Sequence, residues 1–314
     1  MRPDGNFMMD NFQPGYIKLF RSGELAKRAL EAQAHLSICD VCALNCPIDR
    51  RAGKFGACRT GVKAKVSSYG PHHGEEAPLS GWNGSGTIFF SRCNLKCQYC
   101  QNYEISQMYS GDETSPEDLA HIMLTLQSQG CHNINLVSPS HIVPQILAGL
   151  LLAAERGLNI PLVYNTGGYD SLSMLSLLDR VVDIYMPDMK YGASDIARKY
   201  SRIPNYVKVN QAAVREMHRQ VGDLKFDQHG MAVRGLLVRH LVLPNNLAGT
   251  ENITQFLANE ISKNTYLNIM SQYHPCYKAS QFPELNRRIT STEYQLAVET
   301  AMNSGLYRFD SYRD

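Results

Sequence analysis

The sequence has little net charge and no long apolar run, and each of these shortages argues against a class of protein. Its 314 residues carry 31 Lys and Arg against 29 Asp and Glu, a formal net charge of +2. This balance gives no basic field that would neutralise a phosphate backbone, so no nucleic-acid partner is expected. The longest apolar stretch, residues 146–154, is about half of what a membrane-spanning helix needs, so no membrane partner is expected.

The first residues also lack the features of a secretory leader. The segment MRPDGNFMMDNFQPGY has no basic stretch followed by an unbroken apolar one. We therefore expect a cytoplasmic protein. Thiols stay reduced in the cytoplasm and the nine cysteines are an odd number, so a disulfide framework is not expected. The spacing of the cysteines becomes the main question.

The cysteines divide the chain into two unequal parts, because seven of the nine lie between Cys39 and Cys100. We expect residues 1–84 to form an N-terminal arm and a cysteine-rich metal-binding segment, followed by a larger domain over residues 85–314. Within the arm, the spacing of apolar residues predicts a helix over residues 22–34 that is capped by Ser22.

The end of the N-terminal part has the composition of a strand followed by a loop. Residues 61–70 alternate as a short strand does, and Gly and Pro punctuate the residues after them. His72 and His73 stand there beside Glu75 and Glu76. A metal site is one interpretation of these four side chains, and a solvated loop is the preferred one.

From Gly86 onward, strand-like apolar runs alternate with longer helical patterns. The strand candidates are residues 87–91, 133–138, 160–165, 181–186, 233–243 and 265–273. Helices are predicted to open at Ser115 and to cover residues 141–156, 171–179, 194–219, 250–263 and 291–303. The alternation indicates an α/β fold with a parallel sheet. Six such units suit a partial barrel as well as an open sheet, and ligands of both collect at the carboxyl ends of the strands.

Three cysteines follow the first of these strands directly. The segment SRCNLKCQYCQNY places Cys93, Cys97 and Cys100 in a C-x3-C-x2-C pattern. Three thiolates on one loop can bind three corners of a [4Fe-4S] cluster and leave the fourth iron open for a ligand. Structural zinc remains the alternative, although it needs a fourth ligand from elsewhere in the chain.

This pattern, with Tyr99 as the aromatic residue before the third cysteine, resembles the radical S-adenosylmethionine (SAM) superfamily. The resemblance implies a partial (β/α)6 TIM-like barrel of radical SAM type, preceded here by an N-terminal cysteine-rich extension. It also implies a [4Fe-4S] cluster whose open iron binds SAM, and reductive cleavage of SAM to a 5′-deoxyadenosyl radical. The electron donor would be a protein such as flavodoxin or ferredoxin.

Later strand ends resemble those of the pyruvate formate-lyase activating enzymes, and the PflX-like branch related to them is the most similar. The resemblance assigns SAM binding to Asn165 and Thr166 of YNTGGYD, Asp188 and Lys190 of IYMPDMKY, Arg239 of RHLVLPN and His274 of SQYHP, together with Tyr99. Taken alone, Asp188 and Lys190 could merely pair with each other, and His274 could be an ordinary loop histidine.

The loop LVSPSH, residues 136–141, departs from the family pattern. Most of the superfamily has a Gly-Gly-Glu type loop there, which holds the amino group of SAM. Ser138 and Ser140 are the hydroxyls available to replace that contact, since a hydroxyl accepts as well as donates hydrogen bonds.

A second cysteine set lies in the N-terminal part. Cys39, Cys42, Cys46 and Cys58 form a C-x2-C-x3-C-x11-C pattern, which suits a closed site for zinc or for a saturated iron–sulfur cluster. The spacing does not choose between the two metals. A cluster would serve as an electron relay or a substrate anchor, and zinc would stabilise a segment with little core.

Together these features predict an enzyme that abstracts hydrogen through a SAM-derived radical, with activation of a glycyl radical enzyme as the first candidate. Direct modification of a peptide or a small molecule is the alternative within the same chemistry. A zinc-stabilised binding module without catalysis is the alternative from another class.

Overall fold

The computed structural model describes residues 12–108 and 110–310. The expectations that concern residues 1–11, namely the lack of a secretory leader and the start of the N-terminal arm, lie outside this part of the chain. Within the described residues, no helix is long and apolar enough to cross a membrane.

The strands form one mixed sheet in which seven members run parallel. The strands are β1 (Ala64–His72), β2 (Ser85–Phe90), β3 (Asp112–Thr114), β4 (Ile134–Val137), β5 (Leu162–Thr166), β6 (Ile184–Pro187), β7 (Lys225–Phe226), β8 (Ala232–Leu241), β9 (Tyr266–Met270) and β10 (Arg308–Phe309). The parallel neighbours follow the order β2-β4-β5-β6-β8-β9, with β10 parallel to β9. β1 and β3 extend the β2 edge in antiparallel pairs, and β7 pairs with β8. This arrangement confirms the α/β class and is consistent with a radical SAM partial barrel.

Eleven α-helices of the described residues lie before, between and after the strands. They are α1 (Gly15–Arg21), α2 (Glu24–Ala34), α3 (Ala77–Ser80), α4 (Tyr103–Ser106), α5 (Pro116–Ser128), α6 (Val143–Glu155), α7 (Leu172–Leu177), α8 (Ser194–Ser201), α9 (Tyr206–Val221), α10 (Thr250–Phe256) and α11 (Ser291–Asn303). The predicted cap of α5 is present, because the Ser115 side chain accepts from the backbone N–H of Asp118.

Two predicted helix boundaries were wrong. Ser22 ends α1 instead of opening the next helix, and α2 begins after Gly23, whose φ of 75° suits glycine. The single helix expected over residues 194–219 is broken into α8 and α9. Pro204 stands in the break, and the residue before a proline is disfavoured in the helical region.

The two faces of the sheet bury different residues. Leu136 and Leu236 belong to the main apolar core between the strands and the helices. On the inner face, Leu79 of α3 packs against Val163 and Ile184, near the amino ends of β5 and β6. This second apolar cluster lies near the amino ends of β5 and β6, and polar side chains lie at the carboxyl ends of the strands.

The N-terminal helices pack closely against the main sheet. The backbone N–H of Gly15 donates to Asp183 Oδ1 over 3.0 Å, and the Tyr16 hydroxyl donates to the Ile160 carbonyl over 2.8 Å. A Cβ on Gly15 would lie 2.3 Å from the Arg180 carbonyl oxygen, so only glycine allows this approach. This part of the arm therefore shares its core with the larger domain.

Candidate functional site

The loop that carries Cys93, Cys97 and Cys100, called here the β2 cysteine loop, follows β2 directly. Two other parts of the chain anchor it. The backbone N–H of Gln98 donates to the Tyr200 carbonyl over 2.7 Å, and the Asn94 side chain donates to the Tyr169 carbonyl over 2.8 Å. The loop is therefore fixed by the end of α8 and by the connection between β5 and α7.

Each of the three sulfurs has a polar neighbour. The Ser201 hydroxyl donates to Cys97 Sγ over 3.0 Å, and the Ser106 hydroxyl lies 3.2 Å from Cys100 Sγ. Burial, together with the charges of Cys97 and Cys100, raises the pKa of Cys93 to about 12, although Lys190 acts against the shift. The Cys93 thiol holds its proton in this state, and binding of a metal would release it.

The β2 cysteine loop forms one wall of a cavity of about 220 Å³, called here the strand-end cavity. Most of the polar residues assigned to SAM binding from the sequence line the same space. They are Tyr99, Ser138, Asn165, Thr166, Asp188, Lys190 and Arg239. Ser138 follows β4, Asn165 and Thr166 end β5, and Asp188 follows β6. Parallel strands bring their carboxyl ends to one edge of the sheet, which explains the convergence.

Asp188, Lys190 and Arg239 form a mostly buried ionic network on the cavity wall. Lys190 Nζ donates to Asp188 Oδ2 over 2.5 Å, and Arg239 Nε donates to Asp188 Oδ1 over 2.9 Å. Burial alone would raise the pKa of Asp188, but the two cations hold it below its usual value. Burial would likewise lower the pKa of Lys190, but Asp188 and Cys97 raise it. All three side chains are therefore charged at neutral pH.

The guanidinium of Arg239 reaches two further side chains. Arg239 Nη2 donates to Asn165 Oδ1 over 2.7 Å, and Arg239 Nη1 lies 3.8 Å from Glu76 Oε1. The resemblance assigned Arg239 to SAM binding, and here its guanidinium nitrogens bind groups of the protein. An incoming carboxylate would compete with these contacts.

The structure separates the two serines of the loop after β4. Ser138 has a φ of 61° and lines the strand-end cavity. Ser140 is buried, and its hydroxyl lies 2.8 Å from Thr166 Oγ1, which in turn donates to Asp170 Oδ2 over 2.7 Å. Ser140 thus contacts Thr166 from behind the cavity, and Ser138 is the serine that faces it.

His274 does not line the strand-end cavity. Its Nδ1 lies 3.3 Å from Gln101 Nε2 and 3.2 Å from the Gln272 carbonyl oxygen. Gln101 and Gln272 line the cavity themselves. His274 is therefore placed behind the edge of the cavity, one contact away from it.

Two glutamates that the sequence analysis placed in a solvated loop are buried. The interpretation of residues 72–76 as a solvated loop was wrong for Glu75 and Glu76, whose side chains are 8% and 4% exposed. Glu76 Oε1 accepts from Asn268 Nδ2 over 3.0 Å. The apolar Ala77–Ser80 helix that follows was the available signal, because its Leu79 is buried in the sheet's second apolar cluster and draws the preceding residues in with it.

Burial and the neighbouring charge of Glu76 raise the pKa of Glu75 to about 7, against the effect of Arg239. Beside Glu76, the carboxyl of Glu75 is therefore partly protonated near neutral pH. Together with Arg239, they form the polar interior of the sheet next to the strand-end cavity.

The second cysteine set lies against the connection between β5 and α7. The backbone of Cys42 forms an isolated antiparallel bridge with Asp170. Cys39, Cys42 and Cys58 are buried, and Cys46 is half-buried. Across the described parts of the chain, no group of three or more His, Cys, Asp or Glu side chains lies close enough together to hold a single metal ion.

A single metal ion and an iron–sulfur cluster require different separations between their ligand atoms. The ligands of one zinc ion all converge on the same atom. Each thiolate of a [4Fe-4S] cluster binds a different iron, so the sulfurs stay farther apart. The three cysteines that line the strand-end cavity have the donor chemistry of such a cluster.

Comparison with known proteins places this geometry in context. The model of the radical SAM superfamily matches residues 87–240. An uncharacterized protein of Methanocaldococcus jannaschii is 32% identical over 301 residues, which cover 93% of this chain and 82% of that protein. A second uncharacterized protein of the same organism is 25% identical over 217 residues, covering 67% of this chain and 59% of that protein.

A solved structure is also similar. The crystal structure of a radical SAM methyltransferase from Sphaerobacter thermophilus superposes with a TM-score of 0.49 at 14% identity. The superposition covers 71% of this chain and 66% of that one.

Proposed function

This chain belongs to the radical SAM superfamily, and on that premise we propose that it cleaves SAM reductively and uses the resulting 5′-deoxyadenosyl radical to abstract hydrogen from a substrate. The observation that carries the proposal is the meeting of three cysteines from one loop with polar strand ends in one cavity. A [4Fe-4S] cluster bound there would supply the single electron that breaks the C5′–S bond of SAM.

Cys93, Cys97 and Cys100 would hold that cluster. They donate three thiolates, which leaves one iron for the amino and carboxylate groups of SAM. The hydroxyls of Ser201 and Ser106 stay next to two of the sulfurs, where hydrogen bonds adjust the reduction potential of a cluster.

The polar strand ends would hold SAM. Lys190 and Arg239 supply the two cations of the cavity wall that can meet the carboxylate, and the planar guanidinium of Arg239 can bind it in a bidentate manner. Asn165 can both donate to and accept from the ribose hydroxyls. Asp188 orients both cations, because its two oxygens bind one each. We assign the amino group of SAM to Ser138. We assign the adenosyl moiety to the edge of the cavity behind which His274 lies.

The cavity mouth favours a polypeptide as the substrate. Besides Asn165, four carboxamide side chains line the cavity: Gln101, Asn102, Gln107 and Gln272. A carboxamide carries the same donor and acceptor groups as a peptide bond and can pair with an extended backbone. A glycine of a partner enzyme, as in the activating enzymes of the PflX-like type, is the first candidate. Modification of a peptide or small molecule is the second.

The proposal extends to the N-terminal part and to an electron donor. We assign a second metal to Cys39, Cys42, Cys46 and Cys58, and a flavodoxin- or ferredoxin-type protein as the donor. A non-catalytic module stabilised by zinc is the competing function.

The test compares the parent protein with the Cys93→Ala/Cys97→Ala/Cys100→Ala variant, with Cys131→Ala as a control from outside both cysteine sets. Each protein is reconstituted anaerobically with iron and sulfide and is given SAM and dithionite. We expect 5′-deoxyadenosine from the parent and the control and none from the triple variant. Formation at the parent rate by the triple variant would refute the assignment. A colourless parent that contains only zinc would establish the binding module instead.

A further inference from the structure

We propose that the layer of polar side chains beneath the strand-end cavity binds a protonated primary amine of the substrate. This layer, called here the cavity floor, consists of Glu75, Glu76, Asn135 and Asn268. The inference rests on the proposed function and deepens it, because it names a chemical group that the substrate carries. Strand register, unpartnered buried atoms and charge all point to this ligand.

The register of β4 and β9 places the two asparagines directly under the cavity. Val137 and Met270 line the strand-end cavity. Asn135 and Asn268 precede them by two positions on the same strands. Residues two positions apart on a strand point to the same face. The two asparagines therefore face the interior of the sheet one layer deeper than the cavity wall.

A contact below Asn135 marks the lower limit of the floor. Asn133 directly precedes β4, and its Nδ2 donates to the Leu79 carbonyl over 2.9 Å. Leu79 belongs to the second apolar cluster, near the amino ends of the strands. Asn135 therefore lies between that apolar cluster and the strand-end cavity.

The two glutamates enter the same layer from the loop before α3. Glu76 Oε1 accepts from Asn268 Nδ2 over 3.0 Å and lies 3.8 Å from Arg239 Nη1. Arg239 lines the strand-end cavity, so Glu76 contacts the wall of that space. Asn135 lies close enough to Glu75 to favour the charged carboxyl and lower its pKa. The floor thus joins side chains from β4, β9 and the loop before α3.

Four buried atoms of the floor leave hydrogen bonds unmade within the described residues. Asn135 is 0% exposed, and neither its Nδ2 nor its Oδ1 has a hydrogen-bond partner there. Asn268 Oδ1 and Glu76 Oε2 are also buried and have no partner in this part of the chain. Buried polar groups are nearly always hydrogen-bonded, so four such atoms in one layer indicate a ligand of matching polarity.

The matching ligand is a donor, because three of the four atoms are acceptors. They are Glu76 Oε2, Asn135 Oδ1 and Asn268 Oδ1. A primary ammonium group has three N–H donors and no acceptor, one donor for each of these oxygens. A hydroxyl donates a single hydrogen bond, and an anion would meet two carboxyls.

The charge of the floor favours a cation as well. Within the described residues, the ion pairs of its carboxyls are with Arg239 Nη1, 3.8 Å from Glu76, and with His72 Nδ1, 3.9 Å from Glu75. Arg239 is shared with Asp188. Burial and the charge of Glu76 raise the pKa of Glu75 to about 7, so these groups do not keep both carboxyls fully ionised near neutral pH. An ammonium group bound between the carboxyls would supply the missing positive charge.

The amine would reach the floor through the strand-end cavity, past Arg239. Its carbon chain would then lie in the cavity, where the proposed radical acts, and the charged end would fix its position. A lysine side chain of a polypeptide and a small free amine offer the same chemistry.

Titration calorimetry of the purified protein with pentylamine tests the site. Pentan-1-ol, which has the same chain length without a charge, is the matched probe. We expect saturable binding of pentylamine and roughly tenfold weaker binding of pentan-1-ol. Equal binding of the two probes, or no saturable binding of pentylamine, would overturn the proposal. Because neither SAM nor a reductant is present, the result stands whether or not the protein cleaves SAM.

Two variants locate the binding. We expect Glu76→Gln to weaken pentylamine binding roughly tenfold, and Glu113→Gln, at an exposed position on β3, to keep the parent value. An equal dissociation constant in the parent and Glu76→Gln would place the amine elsewhere and overturn the site.

Asn135→Leu tests the floor without removing a charge, and it decides the question if Glu76→Gln does not fold. The change removes two atoms that have no hydrogen-bond partner within the described residues, so we expect no loss of stability in urea. Pentylamine binding should nevertheless weaken roughly tenfold. Parent-like binding in Asn135→Leu would contradict the proposal.

A second titration, with the peptide acetyl-glycyl-lysyl-glycinamide, distinguishes the two sources of the amine. Tighter binding of this peptide than of pentylamine would assign the floor to a lysine side chain of a polypeptide. Weaker binding would assign it to a small free amine. Both results support the site and differ in the substrate that they assign to it.

Discussion

Arg239 and Asp188 face each other across neighbouring strands and are joined twice. Arg239 Nε donates to Asp188 Oδ1 over 2.9 Å, and the backbones of the same two residues form a parallel bridge just beyond the last ladder pair of β6 and β8. The side-chain pair thus fixes the separation of two strand ends at the point where the strand-end cavity opens. This arrangement links the stability of the cavity wall to its capacity to bind an anion.

Replacing Arg239 should weaken SAM binding. We expect Arg239→Ala to raise the dissociation constant of SAM roughly ten- to a hundredfold, which corresponds to about 1.5–3 kcal/mol for a lost charged hydrogen bond. The measurement is a SAM titration of the cluster-loaded protein. Arg234→Ala is the matched control, because Arg234 lies on the same strand and donates to the Gln220 carbonyl of α9 instead. Equal dissociation constants for the parent and Arg239→Ala would place the SAM carboxylate elsewhere.

Removing the charge of Asp188 should destabilise the fold. Asp188→Asn leaves Lys190 and Arg239 without their shared carboxylate, and we expect the free energy of unfolding to fall by about 2–4 kcal/mol. Urea unfolding of the metal-free protein measures the change. Glu284→Gln breaks the more exposed pair with Lys199 and should cost much less, because solvent screens that pair. Similar losses in the two variants would show that the Asp188 network adds no special stability.

The stability of the protein should fall between about pH 4.5 and pH 7 because of Glu75. Its folded-state pKa of about 7 is above the ordinary value of 4.5, so the fold favours the protonated carboxyl. The stabilising contribution of the protonated Glu75 carboxyl is complete below about pH 4.5. It is lost as the pH rises through 7 and stays lost above that pH. Glu76 and Arg239 face the group, and His72 Nδ1 lies 3.9 Å from it.

Glu75→Gln should remove this dependence, because the amide does not ionise. Relative to the parent, we expect the variant to gain about 1–3 kcal/mol of unfolding free energy between pH 5 and pH 8. Urea titrations at several pH values measure the change. Glu113→Gln, at an exposed position on β3, should leave the slope as it is. A parent-like slope in Glu75→Gln would contradict the assignment.

Gly168 should tolerate no side chain. Its φ is 74°, and a Cβ there would lie 2.2 Å from Asn210 Nδ2 and 2.4 Å from the Asp188 carbonyl oxygen. We expect Gly168→Ala to cost about 2 kcal/mol or more, from backbone strain and a clash together. Gly23→Ala has a similar φ of 75° with open space around it, and should cost about 1 kcal/mol. Thermal unfolding compares the two, and equal losses would contradict the clash.

The sequence by itself determined the local features. Apolar runs located six of the seven parallel strands, because a strand covered on both faces must be apolar throughout; the two-residue β10 was not predicted. The pattern of Cys93, Cys97 and Cys100 identified the superfamily, since three thiolates within one loop need no knowledge of distant contacts. The same reasoning located Asp188, Lys190 and Arg239 near one edge, because parallel strands end on the same side.

Only the tertiary structure decided which distant groups meet. The burial of Glu75 and Glu76 goes with the packing of Leu79 of α3 against residues of distant strands, which no local pattern within residues 71–76 encodes. The separation of Ser138 from Ser140 depends on a positive φ at Ser138. The position of Cys42 beside Asp170 joins residues 128 positions apart in the chain. Periodicity reports on neighbours a few residues away, whereas these contacts arise when the sheet folds as a whole and brings separate loops to one edge.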